Sequence, residues 1–234
     1  HLLSRRQRQM CIRDRYKEAG SAENFGEWLD LYHNEKEKRP VCLSEYGGGG
    51  AISQHKDNVD WESDIDPVGV RHYENYQSQL HEILWKQFSV RKYLWAEFIW
   101  CMFDFASYGR TEGDTKSLND KGLCTRERIP KDVYFFYRSV WSSEKTVYIT
   151  ERRHEFRACD VPFVKVYSNA DAVELCINDV SHGRISRCEL PNDESTVFVW
   201  ENIKIKPDTK NKICAKAYFS DRTSRTDYAF WTGK

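Results

Sequence analysis

The chain has 234 residues, 36 of them Lys or Arg and 36 Asp or Glu, so its formal net charge is zero. That balance argues against nucleic acid or an anionic membrane as the main partner, and the length admits one large or two small domains. Aromatic residues make up 14%, with 8 Trp and 13 Tyr, enough flat apolar faces for a large core or for stacking on sugars.

Residues 1–15, HLLSRRQRQMCIRDR, are Arg-rich and carry no acidic residue before Asp14. They resemble translated adapter read-through, so they are set aside as an assembly scar expected to pack poorly. With such a start, the chain is not expected to begin at its native N-terminus. No signal-peptide core is visible in the first twenty residues, and no apolar run reaches the length of a membrane span.

Apolar residues at 25, 28, 29 and 32 predict a helix over 22–33. Val41-Cys42-Leu43 follows Pro40 and is too short for a helix. It reads as a strand buried on both faces. It ends in Ser44-Glu45-Tyr46, then Gly47 to Gly50, which cannot continue a strand. A carboxylate at the C-terminal end of a buried strand, facing a glycine loop, is where α/β barrels put their chemistry. Residues 55–70 read as a long polar loop. Residues 71–89 read as a helix, 93–103 as a second buried strand, 107–121 as a polar loop, and 131–141 as a helix entered through Pro130. The order α-β-α-β-α suggests a parallel sheet or barrel. Beyond Trp141 the period changes from 3.6 to 2. Strands are expected at 147–149, 163–167, 172–177, 184–189, 196–200, 211–219 and 226–231, with turns such as Pro191-Asn192-Asp193 between them. This is the pattern of an immunoglobulin-like β-sandwich.

The 8 Cys include no CxxC pair, and no His stands at finger spacing, so neither zinc nor a disulfide framework is indicated. The cysteines are expected to be small core residues. The glycine run lacks the residues of a phosphate loop, and no cofactor or metal ligand set is apparent.

Residues 16–157 resemble the C-terminal part of the barrel of family 2 glycoside hydrolases, the β-galactosidase and β-glucuronidase family. Arg39-Pro40…Leu43-Ser44-Glu45-Tyr46-Gly47, Phe98-Ile99-Trp100…Met102-Phe103-Asp104-Phe105-Ala106 and Asn119-Asp120-Lys121-Gly122-Leu123…Thr125-Arg126…Arg128 carry the resemblance. Residues 158–234 resemble the immunoglobulin-like domain that follows the barrel, through Val164 to Ala170 and Val173 to Asn178. The implied architecture is the last two βα units of a (β/α)8 TIM barrel followed by an immunoglobulin-like β-sandwich.

The resemblance implies that Glu45 is the nucleophile of a retaining glycosidase. It would work with a second carboxylate about 5–5.5 Å away and must stay ionised, which needs polar neighbours. That second carboxylate lies on an earlier strand in the family, and none of Glu62, Glu97 and Glu112 sits in a matching motif. Trp100 matches the tryptophan that stacks on the sugar. Tyr46 is expected to touch the substrate, and His55 matches a histidine in the loop after the nucleophile, which either lines the site or braces the loop. Asn119 and Lys121 match a pair that reads the sugar carboxylate in β-glucuronidases, yet the same run resembles β-galactosidases. Cys101 departs from the Asn or Asp usual there, and Glu97 replaces a small residue.

The expected activity is removal of terminal β-linked galactose from oligo- or polysaccharides, with β-glucuronidase as the alternative. The chain alone is expected to be inactive, because two strands do not close a barrel that takes eight. The resemblance also implies a periplasmic or secreted location and leaves a homo-oligomer open. A reading from another class is a non-catalytic carbohydrate-binding or docking module. An exposed aromatic row among Tyr167, Trp200, Tyr218 and Trp231 would favour it, and burial of those rings would favour a spacer.

Overall fold

A computed structural model describes residues 22–36, 38–60, 64, 69–191 and 195–234. The Arg-rich segment 1–15, most of the polar stretch 61–68 and the turn residues 192–193 lie outside the described residues. The chain divides into two compact units, one of residues 22–51 and 64–129, the other of residues 52–60 and 130–234. No helix among the described residues is long and apolar enough to cross a membrane.

In the first unit the elements run α1 (Phe25–Glu35), β1 (Val41–Tyr46), α2 (Glu74–Phe88) and β2 (Leu94–Ile99), then the short strands β3 (Phe105–Ala106) and β4 (Leu118–Asn119). β1 and β2 pair in parallel, with Val41 opposite Leu94 and Tyr46 opposite Ile99. The helix between them makes the crossover that parallel pairing requires. Leu43, Tyr46, Leu80, Leu84, Phe88, Phe25 and Leu29 are all buried. Tyr46 meets Phe88 edge-on at 5.1 Å between ring centroids, and Phe88 meets Phe25 at 6.0 Å. One face of β1 is thus packed on the helices. The other face differs from the expectation of burial on both sides: Cys42 is half-buried and Ser44 exposed. β2 likewise exposes Trp95 and Phe98. Among the described residues these two strands have only each other as sheet partners.

The second unit contains α3 (Asp132–Trp141) and strands β5 (Val147–Ile149), β6 (Phe156–Arg157), β7 (Asp160–Ser168), β8 (Ala172–Ile177), β9 (Val180–Ser186), β10 (Val197–Lys204), β11 (Lys210–Tyr218) and β12 (Ser224–Gly233). One sheet has the order β10-β7-β5 and the other β6-β12-β11-β8-β9. Val164, Val166 and Phe198 of the first meet Val173, Leu175, Ile213, Ala215 and Trp231 of the second in one apolar core, so the sheets form a sandwich. α3 joins this unit: Tyr148 donates to Asp132 at 2.6 Å, Ser139 donates to Thr196 at 2.8 Å, and Phe136 packs on Tyr167. These bonds explain why the compact units part before α3, whereas the change of period in the sequence falls after it.

Two expectations are corrected. Among the described residues most cysteines are not core residues: only Cys124 is buried, Cys188 is exposed, and Cys42, Cys101, Cys159, Cys176 and Cys214 are half-buried. Three of these, Cys42, Cys176 and Cys214, are strand residues that alternate with buried neighbours. Of the rings that could have formed an exposed row, Tyr167, Trp200 and Trp231 are core residues, and the half-buried Tyr218 donates to Glu174 at 2.9 Å.

Candidate active site

Three extended segments of the first unit lie side by side at the C-terminal end of β1. The Trp100 N–H donates to the Tyr46 carbonyl at 2.8 Å, the Cys101 N–H to the Lys121 carbonyl at 3.1 Å, and the Leu123 N–H to the Cys101 carbonyl at 2.9 Å. This ladder brings the backbones of Glu45-Tyr46, Trp100-Cys101 and Lys121 to one edge. The Trp100–Cys101 peptide is cis.

Glycines make the close approaches feasible. Gly47 has φ +139°, which side-chain-bearing residues avoid, and a Cβ there would stand 2.8 Å from the Trp100 carbonyl oxygen. Gly122 packs against the backbone at Phe103–Asp104, leaving no room for a side chain, and its N–H donates to Asp104 Oδ1 at 2.8 Å. From α2, Gln77 donates to the Gly48 carbonyl at 2.8 Å and the Gly122 carbonyl at 3.2 Å, bracing both loops from below. His72 and Asp120 pair at 2.7 Å, both largely buried, and the Gly50 N–H donates to the Asp120 carbonyl at 3.1 Å. Gln77, His72 and Asp120 were not singled out in the sequence. Only Asp120 had a signal, as the middle residue of the Asn-Asp-Lys run.

The predicted residues fall as follows. Glu45 is half-buried on the strand end, and its carboxylate has no hydrogen bond or ion pair among the described residues. Trp100 is 43% exposed, its ring edge-on to Phe105. Lys121 is half-buried, and its ammonium has no ion-pair partner among the described residues. Buried Asn119 turns its Oδ1 to the Lys121 N–H at 3.1 Å, so it shapes the turn that carries the lysine. The Cys101 thiol donates to the Phe103 carbonyl at 3.2 Å, a bond within its own loop. Half-buried Glu97 has its carboxyl raised by burial.

Tyr46 points elsewhere than expected. The pairing of β1 shifts register between Leu43 and Tyr46, and the Tyr46 ring enters the core against His81 and Phe88; it offers the strand end its carbonyl. His55 belongs to the second unit. There its Nε2 lies 2.9 Å from the Ile52 carbonyl oxygen and its ring stacks on His154 at 5.6 Å. Burial, first among the causes, lowers its basicity.

The second unit holds a buried ionic cluster that no spacing announced. Asp57, Glu151 and His154 bring ligand-type atoms within 4.8 Å of one another. Arg157 pairs with Asp57, and with Glu151 at 2.9 Å, and its guanidinium lies 4.4 Å from the centroid of Trp231. Desolvation pushes the Glu151 carboxyl up to about 7 despite Arg157, and desolvation followed by repulsion from Arg157 pulls His154 down to about 4. Because the guanidinium already neutralises one of the two carboxylates, the cluster is a poor host for a metal cation.

Comparison with known proteins gives these arrangements a context. Residues 161–223 match the family described as a domain of unknown function, DUF4982. The chain is 35% identical over 180 residues to a β-glucuronidase of Bacteroides fragilis, covering 76% of this chain and 25% of that protein. Among solved structures, an FMN-binding β-glucuronidase from Faecalibacterium prausnitzii L2-6 superposes with a TM-score of 0.76 at 32% identity, over 91% of this chain and 30% of its own. A putative β-galactosidase from Bacteroides fragilis gives 0.80 at 26% identity, over 91% and 31%. The homologues of this chain are thus β-glucuronidases and β-galactosidases, glycoside hydrolases of the family 2 type. The chain spans a quarter or less of the length of the curated relatives it matches.

Proposed function

We propose that the chain is a portion of a retaining exo-β-glycosidase, in which residues 16–157 form the C-terminal part of a TIM barrel and residues 158–234 an immunoglobulin-like domain. Glu45 is the nucleophile. Its carboxylate attacks the anomeric carbon as the glycosidic bond breaks, and a second carboxylate protonates the departing oxygen. Water, deprotonated by that same group, then releases the sugar from Glu45. On this reading the second carboxylate comes from an earlier barrel strand outside these 234 residues. Trp100 offers a partly open ring for the apolar face of the sugar.

The sugar favoured is a terminal β-glucuronide rather than galactose. The observation that supports this is Lys121, a cation without an ion-pair partner among the described residues, on a turn whose backbone is bonded beside Trp100. A carboxylate on the sugar would meet it with a charge-assisted contact. A β-galactoside is the second reading, favoured by the similarity to a putative β-galactosidase. The test is kcat/KM of the complete enzyme on the nitrophenyl glucuronide and galactoside. Lys121→Gln is expected to lower the first by at least tenfold and spare the second. The reverse preference in the unsubstituted enzyme selects the galactoside.

A further inference from the structure

The burial of Tyr167, Trp200 and Trp231 removes the aromatic row the sequence suggested, but the outer face of the five-stranded sheet supplies another. Tyr228 and Phe230 are alternate residues of β12, so both point away from the core, and they are 49% and 44% exposed. Their Cα atoms stand about 7 Å apart on an extended strand, the scale of neighbouring sugar rings. They line a cleft of about 250 Å³ with Arg152, Glu155, Lys210 and Thr232. All six residues belong to the second unit.

An ammonium lies over one face of each ring. The Lys210 ammonium is 4.7 Å from the centroid of Phe230, and Lys212 is 5.6 Å from that of Tyr228. Arg152 is fixed by its pair with Asp227, and Lys212 by its pair with Asp179. Lys210 has no carboxylate partner among the described residues. A ring and a cation in contact fit a ligand having an apolar face and an anionic group on one molecule. Glu155 and Thr232 add hydrogen-bonding groups for hydroxyls.

We propose that this cleft binds an acidic saccharide, a chain of uronic acid residues, with Tyr228 and Phe230 under the sugar rings and Lys210 on a carboxylate. The site is independent of the chemistry assigned to Glu45.

The test is titration calorimetry of the 234-residue chain with trigalacturonic acid, and with galactotriose as its neutral counterpart. The acidic trisaccharide is expected to bind saturably and at least tenfold more tightly than the neutral one. Tyr228→Ala and Phe230→Ala should each weaken it at least tenfold, whereas Lys210→Ala should abolish the preference for acid. Phe230→Tyr and Lys210→Arg should retain binding, which separates loss of the site from loss of the fold. Absence of binding, equal affinity for galactotriose or for tri-glutamate, or indifference to the alanine substitutions overturns the proposal.

Discussion

His72 Nδ1 lies 2.7 Å from Asp120 Oδ2, and this single buried pair joins the entry to α2 to the turn that carries Lys121. A Cβ on Gly49 would fall 2.5 Å from Asp120 Oδ1 and 2.7 Å from His72 Nδ1, so the glycine loop after Glu45 is packed directly on the pair. Replacing Asp120 by Ala or His72 by Phe deletes this largely buried hydrogen bond to a carboxylate, which costs about 1.5–3 kcal/mol. Urea denaturation of the first unit should show that loss. An unchanged midpoint would mean that the pair is not structural.

Gly47 provides a second, sharper test of the strand end. Its φ of +139° and the nearby Trp100 carbonyl exclude a methyl group on both conformational and steric grounds. Gly47→Ala should destabilise by more than about 1 kcal/mol and alter Trp100 fluorescence. Gly109, which is also at positive φ but has open space around it, is the control. Gly109→Ala should cost less and leave the fluorescence alone.

The cluster of Asp57, Glu151, His154 and Arg157 predicts opposed pH effects. Glu151 has a folded value of about 7 against an ordinary 4.5. Between those values the folded state holds the extra proton, so its contribution to stability is lost as pH rises. His154 has a folded value of about 4 against 6.5. Between those values the unfolded state holds the extra proton, so its contribution grows as pH rises. The two slopes offset between about pH 4.5 and 6.5 in the unsubstituted chain. Glu151→Gln should leave stability rising over pH 4–6.5, and His154→Phe should leave it falling over pH 4.5–7. Melting temperatures across that range check both, and parallel curves for the two variants would contradict the assignment.

The uncovered apolar residues of β2 bear on whether the chain can act alone. Trp95 and Phe98 are exposed, on a pair of strands that in a barrel would have neighbours on both sides. The isolated chain is expected to show no turnover of nitrophenyl glucuronide or galactoside. Measurable hydrolysis would show that a complete site exists within these residues.

The sequence was most legible where one face of an element is buried. Val133, Phe136 and Tyr137 mark α3, and the alternation of β8 reproduces its span, Ala172–Ile177. It was least legible where burial is absent or contacts are distant. β9 is largely exposed, so no alternation announced its start at Val180, and the expected strand was placed four residues late. Strict alternation from buried Val41 and Leu43 would send Glu45 to the core; a register shift between Leu43 and Tyr46 sends Tyr46 there instead, and no local pattern announces such a shift. Arg157 meets Asp57 across 100 positions, and no local pattern encodes such a pair. The edge of Glu45, Trp100 and Lys121 was legible as residues, but its backbone ladder depends on Gly47 and Gly122, whose role only three dimensions reveal.

The central claim is that Glu45 forms a covalent bond to the sugar. Incubating the complete enzyme with a 2-deoxy-2-fluoro glycosyl fluoride, followed by peptide mass spectrometry, tests it directly. The adduct should appear on the peptide containing Ser44-Glu45-Tyr46 and vanish in Glu45→Gln, which should also lose turnover. An adduct on any other carboxylate, or full activity in Glu45→Gln, would contradict the account.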